Sequence, residues 1–265
     1  MQLDNFKVFL GEFNRNWIEP SQRLRPNLRM LEKFARKDTF FKDTITAFHP
    51  SLILEIGTWK GSSLFAWLLN SLQEKQCINL IAVDTWLGNI DMWEDWHGSE
   101  SEFGRHNLDL STTGNPKVFE AFQYVLNRSK SIQYVESFRM TSLDGLILLK
   151  SRKLQFDLIY LDSDHHFLNI VQELFMSDFV VHKSYGVIAL DDFRHLAVKQ
   201  ATFLFSLFKI RKYSLWKHED SRVILVPRTR AFNSLENFGF SRLSKLLLFS
   251  EILELVVRSL LARDE

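Results

Sequence analysis

Residues 52–65, running Leu-Ile-Leu-Glu-Ile-Gly-Thr-Trp-Lys-Gly-Ser-Ser-Leu-Phe, constrain this chain more than any other stretch. A short apolar run bounded upstream by Pro50 reads as a buried strand, which passes through a glycine turn into a helix starting near Gly61. A strand that turns this tightly into a helix is the opening unit of a sheet with helices on its faces. Gly57 and Gly61 lack a β-carbon, so they tolerate positive φ and allow close approach to the backbone. Ser62 and Ser63 offer hydroxyls to the free N–H groups of the first helical turn, or to a ligand carboxylate. Glu55 puts an acid in the strand beside the turn. A dinucleotide fingerprint would need glycines at 57, 59 and 62; this chain has Trp59 and Ser62 at the last two, and it has no G-x-x-x-x-G-K-[ST] phosphate loop.

More strands follow, alternating with helical patterns. Asn79-Leu80-Ile81-Ala82-Val83-Asp84 ends in an acid 27 residues beyond Gly57, where such a sheet places a carboxylate to accept hydrogen bonds from ribose hydroxyls. Its plainer role is a strand-end acid or helix cap. A third strand is expected over 132–137, a fourth from Phe156 to Asp162 and a fifth from Tyr185 to Asp192. Asp162, Asp191 and Asp192 thus end parallel strands and should converge in one crevice. Clustered carboxylates repel one another unless a cation or protons compensate, and a hard cation such as Mg²⁺ takes oxygen ligands. Helix capping and backbone hydrogen bonding are the alternatives. A last pair, Tyr213–Lys217 and Arg222–Val226, flanks a polar turn and reads as a hairpin.

The spacing E-x-G-x-x-x-G-S over Glu55–Ser62 resembles motif I of the class I S-adenosylmethionine-dependent methyltransferases. The segment Val83-Asp84-Thr85-Trp86-x-Gly88 is similar to that of a subgroup containing macrolide-sugar and glycan-associated O-methyltransferases, and the resemblance spans about 50–227. It implies an α/β, Rossmann-like, doubly wound sheet, mostly parallel with an antiparallel last strand. It also implies a cofactor site for S-adenosylmethionine made by Glu55, Gly57, Thr58, Gly61, Ser62, Ser63, Asp84, Thr85, Trp86, Thr141, Ser142 and Asp162. Thr141 and Ser142 stand where the family places residues beside the adenine, although Ser142 could equally cap the next helix. By the same resemblance Asp162, Asp191 and Asp192 would hold Mg²⁺ against an acceptor hydroxyl. His165, in Asp162-x-Asp164-His165, would join Asp162 in catalysis by taking the hydroxyl proton, with His166 as its rival.

Around this domain, expected over 50–228, the sequence suggests a helical cap over 1–49, a substrate-facing lid over 89–115 and an amphipathic helical tail over 229–265. The cap pattern is aromatic and basic, broken at Pro20 and Pro26. The tail is interrupted by Glu251, Glu254, Arg258 and Arg263, so it suits self-packing or a homo-oligomer contact, not a membrane span. The 33 basic and 32 acidic side chains nearly cancel, which leaves no electrostatic footprint for nucleic acid. The partner expected is instead a small-molecule or glycan acceptor. No basic secretory start and no transmembrane segment are evident, and the lone Cys77 among apolar neighbours suggests a small core residue, so a cytoplasmic chain is expected. The remaining alternatives are a non-catalytic interaction subunit that keeps the fold and a nicotinamide-dependent enzyme, which the missing third glycine disfavours.

Overall fold

The computed structural model describes residues 7–9, 18, 22–95, 104–218, 222–229, 235–244, 249–250 and 252. The strands are β1 (Leu52–Ile56), β2 (Asn79–Asp84), β3 (Val135–Arg139), β4 (Leu158–Leu161), β5 (Val187–Leu190), β6 (Tyr213–His218), β7 (Val223–Pro227) and β8 (Phe240–Leu243). They form one sheet in the order β3-β2-β1-β4-β5-β7-β6-β8. β1 pairs in parallel with both β2 and β4, while β7 runs antiparallel to β5 and to β6. The fold is thus the mostly parallel α/β sheet with an antiparallel end that was expected.

The central strands are apolar on both faces because helices cover both. On one side Leu54, Ile56, Val83, Ile159 and Leu190 pack under α5 (Ser142–Ser151), α6 (Phe167–Val180) and α7 (Leu196–Phe208). On the other, Ile53, Ala82, Tyr160, Ala189 and Ile224 pack under α1 (Leu28–Phe34), α2 (Thr39–Phe48), α3 (Ser62–Gln73) and α4 (Val118–Arg128). Phe40 and Phe41 of α2 meet Trp67 of α3 at ring centroid distances of 5.8 and 4.5 Å, which fastens part of the expected cap to the second face.

Several local expectations need correction. Cys77 is exposed, since it lies in the loop before β2 and only Ile78 turns inward. Residues 132–134 form a 3₁₀ turn, so the third strand starts three residues later than the apolar pattern indicated. The insertion carries its own structure, a helical turn at Ile90–Trp93 and a 3₁₀ turn at Arg105–Leu108, and it buries Met92 and Leu108. In the tail, Leu235–Phe238 is a 3₁₀ turn, and Leu243, expected in a helix, belongs to a strand antiparallel to β6. The expectations for residues 1–6, 10–17, 19–21 with the break at Pro20, 96–103, 219–221, 230–234, 245–248, 251 and the tail beyond Ile252 lie outside the described residues. Among the described residues no helix is long and apolar enough to cross a membrane.

At the carboxyl edge the strands are tied to one another by their last amides. Gly57 N–H donates to Val83 O (2.9 Å), Asp162 N–H to Ile56 O (2.8 Å) and Asp191 N–H to Leu161 O (3.0 Å). Gly57 has φ +82°, and a β-carbon there would overlap the carbonyl oxygen of Asp162 and lie 2.6 Å from Ser163 Cα. Strain and overlap both oppose any side chain at this point. Gly57→Ala is therefore expected to lose more than about 3 kcal/mol of unfolding free energy in a denaturant titration. A variant of wild-type stability would mean that the contact with Asp162 is not rigid.

Candidate functional site

The ends of β2, β1, β4 and β5 lie side by side in the sheet, which brings Asp84, Gly57, Asp162 and Asp191 to one edge. Asp84 is the organiser of the glycine turn. Its Oδ2 accepts the amides of Thr58 (2.8 Å) and Trp59 (2.7 Å), and its Oδ1 accepts that of Trp86 (2.6 Å). Burial raises its pKa, and the amides of Trp59, Trp86, Thr58 and Thr85 offset part of the rise.

Many of the residues expected to touch a cofactor shape the turn from behind. Glu55 is fully buried and Oε1 accepts from Ser63 Oγ at 3.0 Å, so both side chains face the interior. Gly61, with φ +88°, sits at the start of α3, where Phe122 and Phe65 leave no space for a β-carbon. Ser62 is exposed. The Trp86 indole is no surface for a ligand: it is buried, stacked on Phe122 at 5.3 Å, with Nε1 donating to Trp59 O at 2.7 Å. Thr85 Oγ1 accepts from Leu87 N at 3.2 Å. The cap of α5 is Thr141 and not Ser142, since Thr141 Oγ1 accepts from Asp144 N at 3.2 Å. Glu55 and Thr58 are buried behind the turn and face one another there. The side of the turn left for a nucleoside group is the one lined by Gly57 and Asp84, where Gly57 carries no β-carbon.

Beside the turn, Asp162, Asp191 and Asp192 bring one carboxylate oxygen each within 4.8 Å of one another. Their charge is met by arginines that the sequence did not flag. Arg36, between α1 and α2, places Nη1 2.5 Å from Asp191 Oδ2 and 3.5 Å from Asp162 Oδ2. Arg222, at the start of β7, is only 2% exposed; its Nε lies 2.9 Å from Asp191 Oδ1, and its fork reaches Asp38 at 3.0 and 3.1 Å. Tyr160 donates its hydroxyl to Asp191 Oδ2 at 2.8 Å. Burial, then Asp162 and Asp191, hold that phenol well above its ordinary pKa, so it remains a donor. Burial works against the Asp191 carboxylate, but Arg222 and Arg36 outweigh it and keep the group ionised. Asp162 goes the other way, pushed well up by burial and by Asp191. As arranged, the trio does not fit the expected Mg²⁺ site, because both oxygens of Asp191 are already committed to cationic and phenolic donors.

His165 and not His166 faces these acids. Its Nε2 lies 2.8 Å from Asp192 Oδ2, and its ring stacks on His195 at 4.4 Å and 9°. His166 is exposed at the start of α6. The hydrogen bond to Asp192 raises the His165 pKa above 6.5 despite partial burial. The loop beneath is fastened by Glu173, whose two oxygens accept from Ser163 Oγ at 2.8 and 2.7 Å, and by Asp164, which accepts from His166 N at 2.9 Å. Burial lifts Glu173 to about 7. Glu173, like His195, went unnoticed in the sequence because it sits inside a helical pattern.

A methyltransferase-domain family matches residues 54–193, from within β1 to just past the paired acids after β5 and over half of the chain. The chain belongs to that methyltransferase family. Two solved methyltransferases share its fold. The O-methyltransferase of Bacillus cereus, in complex with S-adenosylhomocysteine, is 14% identical with a TM-score of 0.50, covering 83% of this chain and 96% of its own. The S-adenosylhomocysteine-bound methyltransferase of Podospora anserina is 15% identical with a TM-score of 0.50, covering 85% and 95%. No curated protein matches the sequence. At these identities the likeness is one of fold, that of class I methyltransferases.

Glu55 gives this methyltransferase-family chain a measurable pH signature. Burial raises its pKa to about 8 against 4.5 for a free side chain, with the Ser63 hydrogen bond opposing. The folded state thus keeps a proton that the unfolded chain gives up, and stability is lost as pH rises from 4.5 to about 8. In Glu55→Gln this loss is removed, so its melting temperature should gain on wild type between pH 5 and pH 8, by the equivalent of roughly 2–4 kcal/mol. Parallel curves for the two proteins would show that Glu55 is ionised in the fold.

Proposed function

We propose that this protein transfers a methyl group from S-adenosylmethionine to a hydroxyl oxygen of a small polyol or sugar. The observation that carries the reading is the meeting, at adjacent strand ends, of a glycine turn closed by Asp84 with the His165–Asp192 pair. Family membership supports methyl transfer, while the oxygen acceptor rests on the chemistry of the pair. S-adenosylmethionine supplies a sulfonium methyl already activated toward a nucleophile, so the protein's tasks are to orient and to move a proton.

Asp84 and the turn Gly57–Gly61 would hold the ribose end, and Thr141 and Ser142 would lie toward the adenine. With Nε2 donating to Asp192, Nδ1 of His165 is left to take the acceptor proton. In this reading residues 50–228 carry the transfer, the segment before residue 50 walls the site and the insertion over 89–115 faces the acceptor.

Isothermal titration with S-adenosylhomocysteine tests the cofactor half: one equivalent should bind, and Asp84→Asn should weaken it by about tenfold or more. A wild-type chain without affinity sinks the proposal. The acceptor half is tested with radiolabelled S-adenosylmethionine and a panel of sugars and polyols. His165→Ala should lower transfer by about 10²–10⁴-fold. Because Asp192 raises the His165 pKa and the base works unprotonated, the rate should fall as pH drops through a midpoint above 6.5. Asp192→Asn should move that midpoint back toward 6.5. An acid limb that the substitution leaves in place would remove His165 from the role.

A further inference from the structure

Three carboxylates at one strand edge need positive charge, and the chain supplies it from a segment far away in sequence. We infer that Arg36 is the resident cation of this cluster: its guanidinium occupies the position between Asp162 and Asp191 that a divalent metal would otherwise take. Nη1 reaches Asp191 Oδ2 at 2.5 Å and Asp162 Oδ2 at 3.5 Å, so one donor bridges two of the three acids. Arg222 engages the other Asp191 oxygen, its Nε 2.9 Å from Oδ1. A Mg²⁺ ion demands near-octahedral oxygen ligands, so it would have to break at least one of these pairs to gain Asp191.

Arg36 is also fixed in place in a way that a surface arginine is not. Its backbone amide donates to Ser62 O at 3.0 Å, at the first residue of α3. Its Nε lies 3.4 Å from Asp38, and its guanidinium lies 5.9 Å from the centroid of the Phe41 ring. The residue thereby joins the cofactor-side helix to the acids of β4 and β5. Each acid of the trio thus has a basic partner: Arg36 for Asp162, Arg36 and Arg222 for Asp191, and His165 for Asp192.

The inference deepens the methyl-transfer reading. A guanidinium has no empty coordination position with which to bind and acidify an acceptor hydroxyl, so activation of the acceptor falls to His165. Arg36 is then a positioning residue that acts through Asp162 and Asp191.

Binding of Mn²⁺ to the full chain, followed by electron paramagnetic resonance, tests this without turnover. Wild type and Arg36→Lys should show no Mn²⁺ site that depends on Asp162. Arg36→Met should gain one, and adding Asp162→Asn should abolish it. Circular dichroism and thermal melting establish that each variant is folded. The inference is overturned if wild type binds Mn²⁺ in a way that Asp162→Asn removes, or if folded Arg36→Met gains no site. Should Arg36→Met fail to fold, the wild-type and Arg36→Lys titrations decide alone. A chain that lacks S-adenosylhomocysteine affinity but shows the expected Mn²⁺ pattern would overturn the methyl-transfer reading and leave the resident cation standing.

Discussion

The strand-end cluster depends on the absence of one β-carbon. Gly57 lies so close to the backbone of Asp162 that only a hydrogen fits, and at φ +82° it turns β1 toward α3 while its amide still completes the ladder with β2. If the two backbones moved apart, Asp162 would lose its bond to Ile56 O, and the ends of β4 and β5, joined by the Asp191 amide to Leu161 O, would no longer be fixed against the turn. The glycine that the sequence marked for ligand approach is thus already required by the chain itself. A ligand would use a surface that backbone packing has fixed beforehand, which lowers the ordering cost of binding.

Against that rigid edge the electrostatics are arranged in layers. Asp191 is ionised and gripped by Arg36, Arg222 and Tyr160; Asp162, beside it, is driven toward its neutral form. Environments that push neighbouring carboxyls apart in pKa allow one to serve as a fixed charge and the other to hold a proton. Removing one partner from a buried pair leaves an uncompensated charge, at a cost of roughly 3–5 kcal/mol. The arginines are therefore needed for the acids to remain where the sheet puts them.

What the sequence made legible follows from what is local. Apolar runs ending in Asp84, Asp162 and Asp191 identify the strands and their order of use, because a strand buried on both faces needs a continuous apolar stretch and its polar end marks the edge. The glycine spacing locates the turn. Arg36 could not be found this way: its partners lie 126 and 155 residues downstream, and nothing in a basic, aromatic N-terminal pattern separates it from Arg29 or Lys37. β8 was hidden for a related reason, since Phe240–Leu243 buries only Phe240 fully and is held by pairing with β6. Trp86 and Ser63 were placed on the correct segments and facing the wrong way, because a family position says where a residue stands and not which atoms its neighbours have already claimed.

The N-terminal segment then acquires a role that its aromatic content supports. Phe40 and Phe41 lie 5.0 and 5.2 Å beneath the Arg222 guanidinium and pack on Trp67 and Tyr160. These rings form a dry wall behind the ion pairs. In such surroundings a charge pair is screened far less than in water, and each guanidinium gains a favourable ring face in place of part of its lost hydration. The same stripe of phenylalanines that reads as ordinary core in the sequence therefore sets the strength of the charge network at the strand ends. The segment preceding β1 and the acids following β4 and β5 are parts of one construction: the aromatic packing of α2 on α3 holds Arg36 and Asp38 at the edge, Asp38 pairs with both arginines, and the Arg36 guanidinium holds Asp162 and Asp191.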